Sequence, residues 1–193
     1  HMQLVFVELA LEYLGVRRVA IPVTSPAAVA DLIRTYGAEV LWTKTEHHAM
    51  MASAEKADMI AGTRGEFIFP HFIPAYDGLY AAAKLLQGLA ASGAQLSERA
   101  DRHRPIYIRQ ERVACPWGRK GAVMRRLMKE TEHENRQLVD GVKIWKNDRE
   151  WAMVIPHSDK PYFVVTVEAA DSDGAEALLD RYSGSVAMWR DEA

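Results

Sequence analysis

Helix-forming and strand-forming segments alternate along the first half of the sequence, and this alternation limits the folds that the chain can adopt. Apolar residues at helical spacing in residues 3–14 predict an amphipathic helix, and the apolar run at residues 18–23 predicts a strand. Ser25 and Pro26 are residue types that start a helix, and residues 39–43 predict a second strand. A chain with this order is expected to fold into a layered α/β unit.

The rest of the first half continues the same order. A helix is predicted at residues 47–56 and a short strand at 58–61, and these lead into residues 62–65 and 66–69. Residues 79–91 are rich in alanine and leucine, which favour a helix strongly. Asp77 precedes this helix and is expected to cap its first turn.

The composition changes at residues 101–105, a charged segment that a proline closes, and the domain boundary is placed there. The two predicted domains are residues 3–104 and residues 105–193. The predicted elements of the second domain are a strand at 106–113, a helix from 117, three strands at 139–145, 150–155 and 162–168, and a helix at 173–189. This order predicts a small α+β sandwich, so the expected fold is a three-layer α/β domain followed by an α+β sandwich.

Composition and charge argue against several kinds of protein. The 193 residues carry a formal net charge of −2, which gives no basis for binding nucleic acid or a membrane surface. No apolar run approaches the roughly 18 residues that a membrane-spanning helix needs. The single cysteine, Cys115, cannot form an intramolecular disulfide, which favours a reducing cytoplasm. His1 and Met2 precede a helix that begins at once, so the chain is expected to be an excised fragment.

Residues 155–168 resemble a phosphate-binding loop that has lost its phosphate-binding side chains. The resemblance is to the C-terminal loop of the alpha-D-phosphohexomutases, in which arginine, serine and threonine side chains hold a phosphate. The two arginine positions carry Ile155 and Val164 here, the serine position carries His157, and the threonine position carries Asp159. A phosphate dianion is held best by guanidinium groups and several donors, so the resemblance implies that this clamp is absent. The positions that keep the family's residues are Pro156, Pro161 and Glu168.

Other segments resemble the third and fourth domains of the same family. They are residues 65–72 and 75–86 for the third domain, and residues 115–127, 140–142 and 150–154 for the fourth. The family's sugar-recognition pattern, Gly-Glu-any-Ser-Gly-His, falls on residues 62–67, where Thr63 replaces the glutamate and Phe67 replaces the histidine. The resemblance implies the fold of these two domains with both ligand loops altered.

The chain also resembles the mutase-like C-terminal region of proteins that carry an N-terminal sugar-phosphate nucleotidyltransferase of the mannose-1-phosphate guanylyltransferase type. Residues 67–70 and 115–117 carry this likeness. It implies a non-catalytic module that senses sugar phosphate or acts as a scaffold. The sequence lacks the family's Asp-any-Asp-any-Asp magnesium loop, so no cofactor is expected in this chain and Mg²⁺ is expected only in the parent protein. Two alternatives stay open, namely the substrate-binding half of an active phosphomannomutase or phosphoglucomutase, and an oligomerisation module.

No catalytic residue is expected in the chain, and the residues expected to contact a substrate come from the two altered loops. They are Thr63, Arg64, Glu66 and His71 in the first half, and His157, Ser158 and Lys160 in the second. The expected partners are a hexose phosphate, the missing N-terminal domains and a second copy of the chain. No metal site is expected, because the adjacent His47 and His48 would point about 100° apart on a helix.

Cys115 and a cluster of basic residues each allow a functional and a structural interpretation. Cys115 lies at a predicted helix start, where the helix dipole could activate a thiol, but no histidine partner is evident and packing is favoured. The basic cluster is interpreted as a solvated face, with contact to a phosphate or a partner protein as the alternative. Its members are Arg119, Lys120, Arg125 and Arg126. The five tryptophans are interpreted as core or interface anchors.

Overall fold

In the computed structural model, which describes residues 1–192, the chain divides into two units, His1–Pro105 and the residues from Ile106 onward. The first unit contains a sheet with parallel strands and helices on both faces. The second contains an antiparallel sheet packed against helices. The predicted fold class, a three-layer α/β unit followed by an α+β unit, is confirmed.

The first unit is built from helices and short strands. In chain order its elements are α1 (Met2–Tyr13), β1 (Arg18–Pro22), α2 (Ala27–Thr35), β2 (Glu39–Thr43), α3 (His47–Ala52), a 3-10 turn (Ser53–Glu55), β3 (Met59–Ala61), β4 (Phe67–Ile68), α4 (Gly78–Ser92) and α5 (Leu96–Asp101). The strand order is β2-β1-β3-β4, in which β1 is parallel to β2 and β3 whereas β4 is antiparallel to β3. Strands β1, β2 and β3 therefore all end at one edge of the sheet, which we name the carboxyl edge, and begin at the opposite amino edge.

This sheet carries apolar side chains on both faces, because successive side chains of a strand point to opposite sides. Ile60 and Ile68 pack with Met50 of α3 on one face. Phe67 points to the other face and meets Phe6 of α1 edge-on, with ring centroids 4.5 Å apart. The sheet is therefore the middle of three layers.

Helix α1 is buried along most of its length, which corrects the prediction of an amphipathic helix. All residues from position 3 to position 11 are buried, including the polar ones. The side-chain amide of Gln3 donates to Ser25 Oγ and to the backbone oxygen of Ala61, both at 2.8 Å. The amide N–H groups of Gln3 are thus satisfied by partners within the protein rather than by water.

A buried charged cluster joins α5 to α1. Arg99 of α5 is only 3% exposed, and its guanidinium lies 2.8 Å from a carboxylate oxygen of Glu12 and 3.4 Å from one of Glu8. A buried guanidinium needs such partners, because an unpaired buried charge is strongly unfavourable. The cluster therefore fixes the last helix of the unit against the first.

Helix α4 begins and ends as its sequence predicts. The side chain of Asp77 accepts a hydrogen bond from the backbone N–H of Tyr80 at 2.8 Å, which confirms the predicted cap. Gly93 ends the helix in the left-handed conformation, with φ of 64°. On the buried side, a side chain at Gly88 would lie 3.1 Å from Cβ of Leu9, so glycine allows α4 to approach α1 closely.

The second unit has one strand more than the sequence predicts. Its elements are β5 (Tyr107–Ala114), α6 (Trp117–Glu130), β6 (Asn135–Gln137), β7 (Val142–Trp145), β8 (Trp151–Pro156), β9 (Tyr162–Ala169) and α7 (Ser172–Glu192). The strand order is β5-β9-β8-β7-β6, with antiparallel neighbours. The sequence does not indicate strand β6, because its three residues are polar and the apolar alternation that identifies a strand is absent.

Helices α6 and α7 cover one face of this second sheet. Val123 and Leu127 of α6 are fully buried in a core with Val154, Val165 and Tyr182. Among the tryptophans, Trp151 and Trp189 are buried, in agreement with the sequence interpretation, whereas Trp117 is 54% exposed and is not a core residue. None of the helices in residues 1–192 is both long and apolar enough to cross a membrane.

The turn before β7 depends on glycine. Asp140 has a φ of 70° and Gly141 a φ of 154°. A Cβ atom at position 141 would lie 2.4 Å from the backbone oxygen of Val154 on β8. Only glycine fits this position without movement of one strand against the other.

We expect Gly141→Ala to destabilise the second unit by about 2 kcal/mol, because the new Cβ would collide with backbone and the φ is unfavourable for an L residue. Urea denaturation should show a lower midpoint with an unchanged slope.

Gly184→Ala is the matched control. Gly184 lies within α7, and a Cβ atom added there would meet no atom within 4 Å. This substitution should be neutral or stabilise the protein by up to about 1 kcal/mol, because alanine favours a helix. Equal effects of the two substitutions would contradict the close approach at position 141.

Candidate functional site

The first altered loop follows β3 at the carboxyl edge of the first sheet. The backbone N–H of Gly62 donates to the backbone oxygen of Glu66 at 2.8 Å, which closes the loop. Gly65 has a φ of 87°, a conformation that favours glycine. Thr63 and Arg64 occupy the exposed tip between these glycines.

The carboxylate of Glu66 is turned back into its own loop. One oxygen accepts the backbone N–H of Arg64 at 2.7 Å, and the other lies 4.0 Å from the ring of His47. Its side chain fills the space beside Gly62, since a Cβ there would lie 2.4 Å from Glu66 Cγ and Cδ. The pKa of the nearby Tyr76 hydroxyl is raised to about 12, mainly because the hydroxyl is buried and also because of the negative charge of Glu66. Glu66 therefore stabilises the loop.

His71 lies away from the other predicted residues of this half. Strand β4 runs antiparallel to β3, with Ile68 opposite Ile60, so the chain returns towards the amino edge after β4. There Nε2 of His71 is 2.7 Å from the hydroxyl of Tyr80. His71 and Asp58 line one surface depression, and Asp58 directly precedes β3. The structure thus places Thr63, Arg64 and Glu66 at one edge and His71 at the other.

The second altered loop joins β8 to β9 and is held by its own backbone. The N–H of His157 donates to the oxygen of Tyr162 at 3.1 Å, and the N–H of Tyr162 donates to the oxygen of Lys160 at 2.8 Å. The N–H of Asp159 donates to Nδ1 of His157 at 3.0 Å. Because Nδ1 accepts this bond, a neutral His157 carries its proton on Nε2. Ser158 and Lys160 lie exposed at the tip.

Lys120 of α6 occupies the inner side of this second loop. Its ammonium donates to the backbone oxygens of His157 and Lys160, both at 2.6 Å, and lies 3.8 Å from the ring centroid of Trp117. Burial lowers the pKa of Lys120. Lys120 is only 8% exposed, so the interpretation of the whole basic cluster as a solvated face is wrong at this position.

The sequence contains one signal for the role of Lys120. It lies three residues after Trp117, a spacing that places both side chains on one face of a helix. Two other members of the cluster have different partners: Arg119 donates to the backbone oxygen of Arg190 on α7 at 2.9 Å, and Arg126 pairs with Glu130 on its own helix at 2.9 Å. Within the basic cluster, Lys120 is the buried member, and it bonds the loop.

Cys115 is a packing residue. It is fully buried, and its thiol is placed to donate to the backbone oxygen of Pro116 at 3.6 Å. Burial raises the pKa of the thiol, although the charges of Lys120, Arg190 and Arg119 act in the opposite direction. A buried thiol with a raised pKa is a poor nucleophile.

Glu168, which the sequence pattern retains, is part of a buried polar group on the second sheet. It accepts a hydrogen bond from the indole N–H of Trp151 at 2.5 Å. The ammonium of Lys143 lies 3.9 Å from the ring centroid of Trp151 and 4.2 Å from that of Trp145. Burial lowers the pKa of Lys143 to about 7, and the charge of Glu168 opposes this effect. In this arrangement Glu168 has a structural role in the second sheet, through its hydrogen bond to Trp151.

The rings of His47 and His48 on α3 are not placed to bind one metal ion together. His48 lies 3.3 Å from Glu46, and His47 lies 4.0 Å from Glu66, so the two rings face different carboxylates. In residues 1–192, no group of three or more histidine, cysteine, aspartate or glutamate side chains is arranged to hold a metal ion.

Known proteins share both the sequence pattern and the architecture of this chain. Residues 3–107 match the family described as phosphoglucomutase/phosphomannomutase, alpha/beta/alpha domain III. The chain is 26% identical over 180 residues to the phosphoglucosamine mutase of Methanococcus maripaludis, an alignment that covers 91% of this chain and 40% of that protein. The chain therefore spans about two fifths of the length of such relatives.

Solved structures share the fold at lower identity. A phosphoglucomutase/phosphomannomutase family protein of Burkholderia thailandensis superposes with a TM-score of 0.80 at 19% identity, covering 100% of this chain and 42% of its own. The N-acetylphosphoglucosamine mutase of Aspergillus fumigatus, solved with GlcNAc-6P and magnesium, gives a TM-score of 0.68 at 11% identity, with coverage of 98% and 44%. These likenesses show a common fold.

Lys143 should make stability increase with pH above neutrality. Between pH 7 and the usual lysine range, the unfolded chain holds a proton that the folded protein releases, so the free energy of unfolding rises with pH. The slope is at most about 1.4 kcal/mol per pH unit. Lys143→Met should remove this rise, as measured by urea denaturation at pH 7 to 9.5.

Lys129→Met is the matched control, because Lys129 is exposed near the end of α6. It should keep the pH dependence of the unsubstituted protein. If the free energy of unfolding of Lys143→Met rose with pH as steeply as that of this control, the rise could not be assigned to Lys143.

Proposed function

The chain belongs to the phosphoglucomutase/phosphomannomutase family, and from this premise we propose that it serves a longer sugar-nucleotide biosynthesis protein as a non-catalytic scaffolding module. The observation that carries the proposal is the bonding of Lys120 to the backbone oxygens of His157 and Lys160. The buried ammonium at this loop, that of Lys120, is thus bonded to carbonyl groups of the chain itself.

The surroundings of the loop support this interpretation. A phosphate clamp presents guanidinium groups and several hydrogen-bond donors to its ligand. The two positions at which the resemblance expects arginine, Ile155 and Val164, lie opposite each other on β8 and β9, and both are apolar. They therefore contribute to the sheet, and their side chains offer a phosphate no donor. At the exposed tip the charges of Asp159 and Lys160 offset each other.

The first loop supports the same proposal. The resemblance expects a glutamate and a histidine to contact the sugar here, but the nearby carboxylate of Glu66 is turned into its own loop, where it accepts the N–H of Arg64. His71 lies at the opposite edge of the sheet and is bonded to Tyr80. A ligand at the carboxyl edge would have to compete with the hydrogen bonds that close the loop.

We further propose that the parent protein carries an N-terminal sugar-phosphate nucleotidyltransferase of the mannose-1-phosphate guanylyltransferase type. The support is the sequence likeness of residues 67–70 and 115–117 to such fusion proteins. In this arrangement the missing N-terminal domains are the partners of the module, and any Mg²⁺ is held there.

One observation favours a second candidate, the substrate-binding half of an active sugar-phosphate mutase. The relative from Methanococcus maripaludis is named a phosphoglucosamine mutase, and 91% of this chain aligns with it. This candidate requires that the loops open their internal hydrogen bonds when the other domains are present.

A thermal-shift titration tests the scaffolding role. The isolated chain should show no saturable rise in Tm with mannose or glucose 1- and 6-phosphates. A ligand at about 100 times its Kd adds about 2.7 kcal/mol of stability, and each kcal/mol raises Tm by roughly 2–4 °C in a chain of this size. A specific rise that Lys160→Ala abolishes would instead support sensing of a hexose phosphate by the second loop.

A mutase assay of the parent protein distinguishes a scaffolding role of this chain from a role in a mutase reaction. The full-length protein should give no interconversion of hexose 1- and 6-phosphates, because neither loop presents a phosphate clamp. Measurable turnover that depends on residues of this chain would contradict the non-catalytic role. Lys120→Met serves as the structural control, because it should loosen the second loop without creating mutase activity.

A further inference from the structure

We propose that strand β5, at one side of the second sheet, pairs with β5 of a second copy of this chain. In the strand order β5-β9-β8-β7-β6, β5 has a neighbour on one side only. It is eight residues long, whereas the outermost strand at the other side, β6, has three. A long outermost strand offers its unpaired backbone groups to another strand. Residues 109–112, in the middle of β5, are all exposed.

The pairing of β5 with β9 decides which of its backbone groups face outward. Directly after β5, the N–H of Cys115 donates to the oxygen of Pro161 at 2.8 Å, and this bond continues the antiparallel register of the two strands. In an antiparallel pair, residues that bond the neighbour alternate with residues whose N–H and C=O groups point away from it. The odd-numbered residues of β5 therefore bond β9, and the outward groups belong to Ile108, Gln110 and Arg112.

Hydrogen bonds from side chains agree with this alternation. The outward oxygen of Ile108 accepts the guanidinium of Arg109 at 3.3 Å, and that of Ala114 accepts the guanidinium of Arg190 at 3.0 Å. Within residues 1–192, no strand or side chain bonds the backbone N–H and oxygen of Gln110. The middle of β5 is therefore open to a further strand.

The charges of β5 fit a second copy in one antiparallel register. A twofold axis at Gln110 places Arg109 of each copy opposite Glu111 of the other. On the outer side these are the positions without backbone bonds, where opposed side chains come closest, and opposite charges there stabilise the pair. In the same register Gln110 lies opposite itself and Arg112 lies opposite Ile108. All three of these residues have outward N–H and C=O groups, so their backbone bonds match.

The neighbouring registers bring like charges together. An axis at position 109 or 112 places two arginines opposite each other, and an axis at position 111 places two glutamates opposite each other. Like charges directly opposite destabilise a sheet. Charged residues on an outermost strand commonly prevent association. In β5 their order opposes the neighbouring registers and favours the one centred on Gln110.

Sedimentation equilibrium over a range of chain concentrations tests the proposal. The chain should show a reversible monomer–dimer equilibrium that weakens with added salt, because exposed ion pairs are screened. Arg109→Glu and Glu111→Arg should each raise the dimer Kd by about tenfold, equivalent to about 1.4 kcal/mol, since the symmetry converts two attractive pairs into two repulsive ones. Glu132→Arg is the matched control and should leave the Kd unchanged, because Glu132 is exposed and lies after α6.

A mixture of the two variants distinguishes a lost contact from a misfolded chain. A mixed dimer of Arg109→Glu with Glu111→Arg again has an acidic residue opposite a basic one at both positions. An equimolar mixture should therefore associate with about the Kd of the unsubstituted chain.

Cysteine cross-linking tests the register. Two copies bring position 110 together, so Gln110→Cys should form a disulfide-linked dimer on mild oxidation. Arg112→Cys should not, because its position lies opposite Ile108. The native Cys115 is fully buried and does not interfere.

A chain that stays monomeric at every concentration would overturn the proposal, and so would a dimer whose Kd neither charge reversal changes. It would also fail if the mixture associated no more tightly than either variant alone, or if Gln110→Cys cross-linked no better than Arg112→Cys. The proposal does not rest on the scaffolding role, because it involves β5 and neither altered loop. Its failure would leave that role to be decided by the titration with sugar phosphates.

Discussion

The burial of α1 is the constraint on which the first unit depends. Its aromatic residue Phe6 packs against Phe67 on β4, and the side chain of Leu9 meets α4 at Gly88. A helix in this position contacts the sheet on one side and other helices on the rest, so its polar residues need internal partners. Gln3 finds them at the ends of β1 and β3, which ties the start of the helix to the carboxyl edge.

Lys120 has a comparable role in the second unit. A buried ammonium is unfavourable unless several acceptors surround it, and here two backbone oxygens and the face of Trp117 do so. The loop between β8 and β9 is therefore shaped by a cation from within the chain. The resemblance implies a loop whose side chains bind a phosphate. In this chain the backbone of that loop is instead bonded by the side chain of Lys120. The bonds from Lys120 explain how the loop keeps its shape although its phosphate-binding residues are replaced.

Antiparallel pairing of β4 separates residues that are close in sequence. Glu66 and His71 are five positions apart, yet they lie at opposite edges of the sheet because a strand runs between them. Glu66 is used to close its loop, while His71 lines a surface depression. The predicted substrate-contact residues all stay predictions, namely Thr63, Arg64, Glu66, His71, His157, Ser158 and Lys160. The two edges are distinct chemical environments, and each needs its own ligand test.

The order and type of most elements follow from the sequence alone, because periodicity, caps and turn residues act over a few positions. The cap at Asp77 and the glycine that ends α4 are examples. Strand β6 could not be predicted in this way, because its residues are polar and show no apolar alternation. The sequence could not decide which polar side chains become buried. Gln3 bonds Ala61 across 58 residues and Lys120 bonds His157 across 37. Such contacts depend on how distant segments pack, and only the tertiary structure determines that.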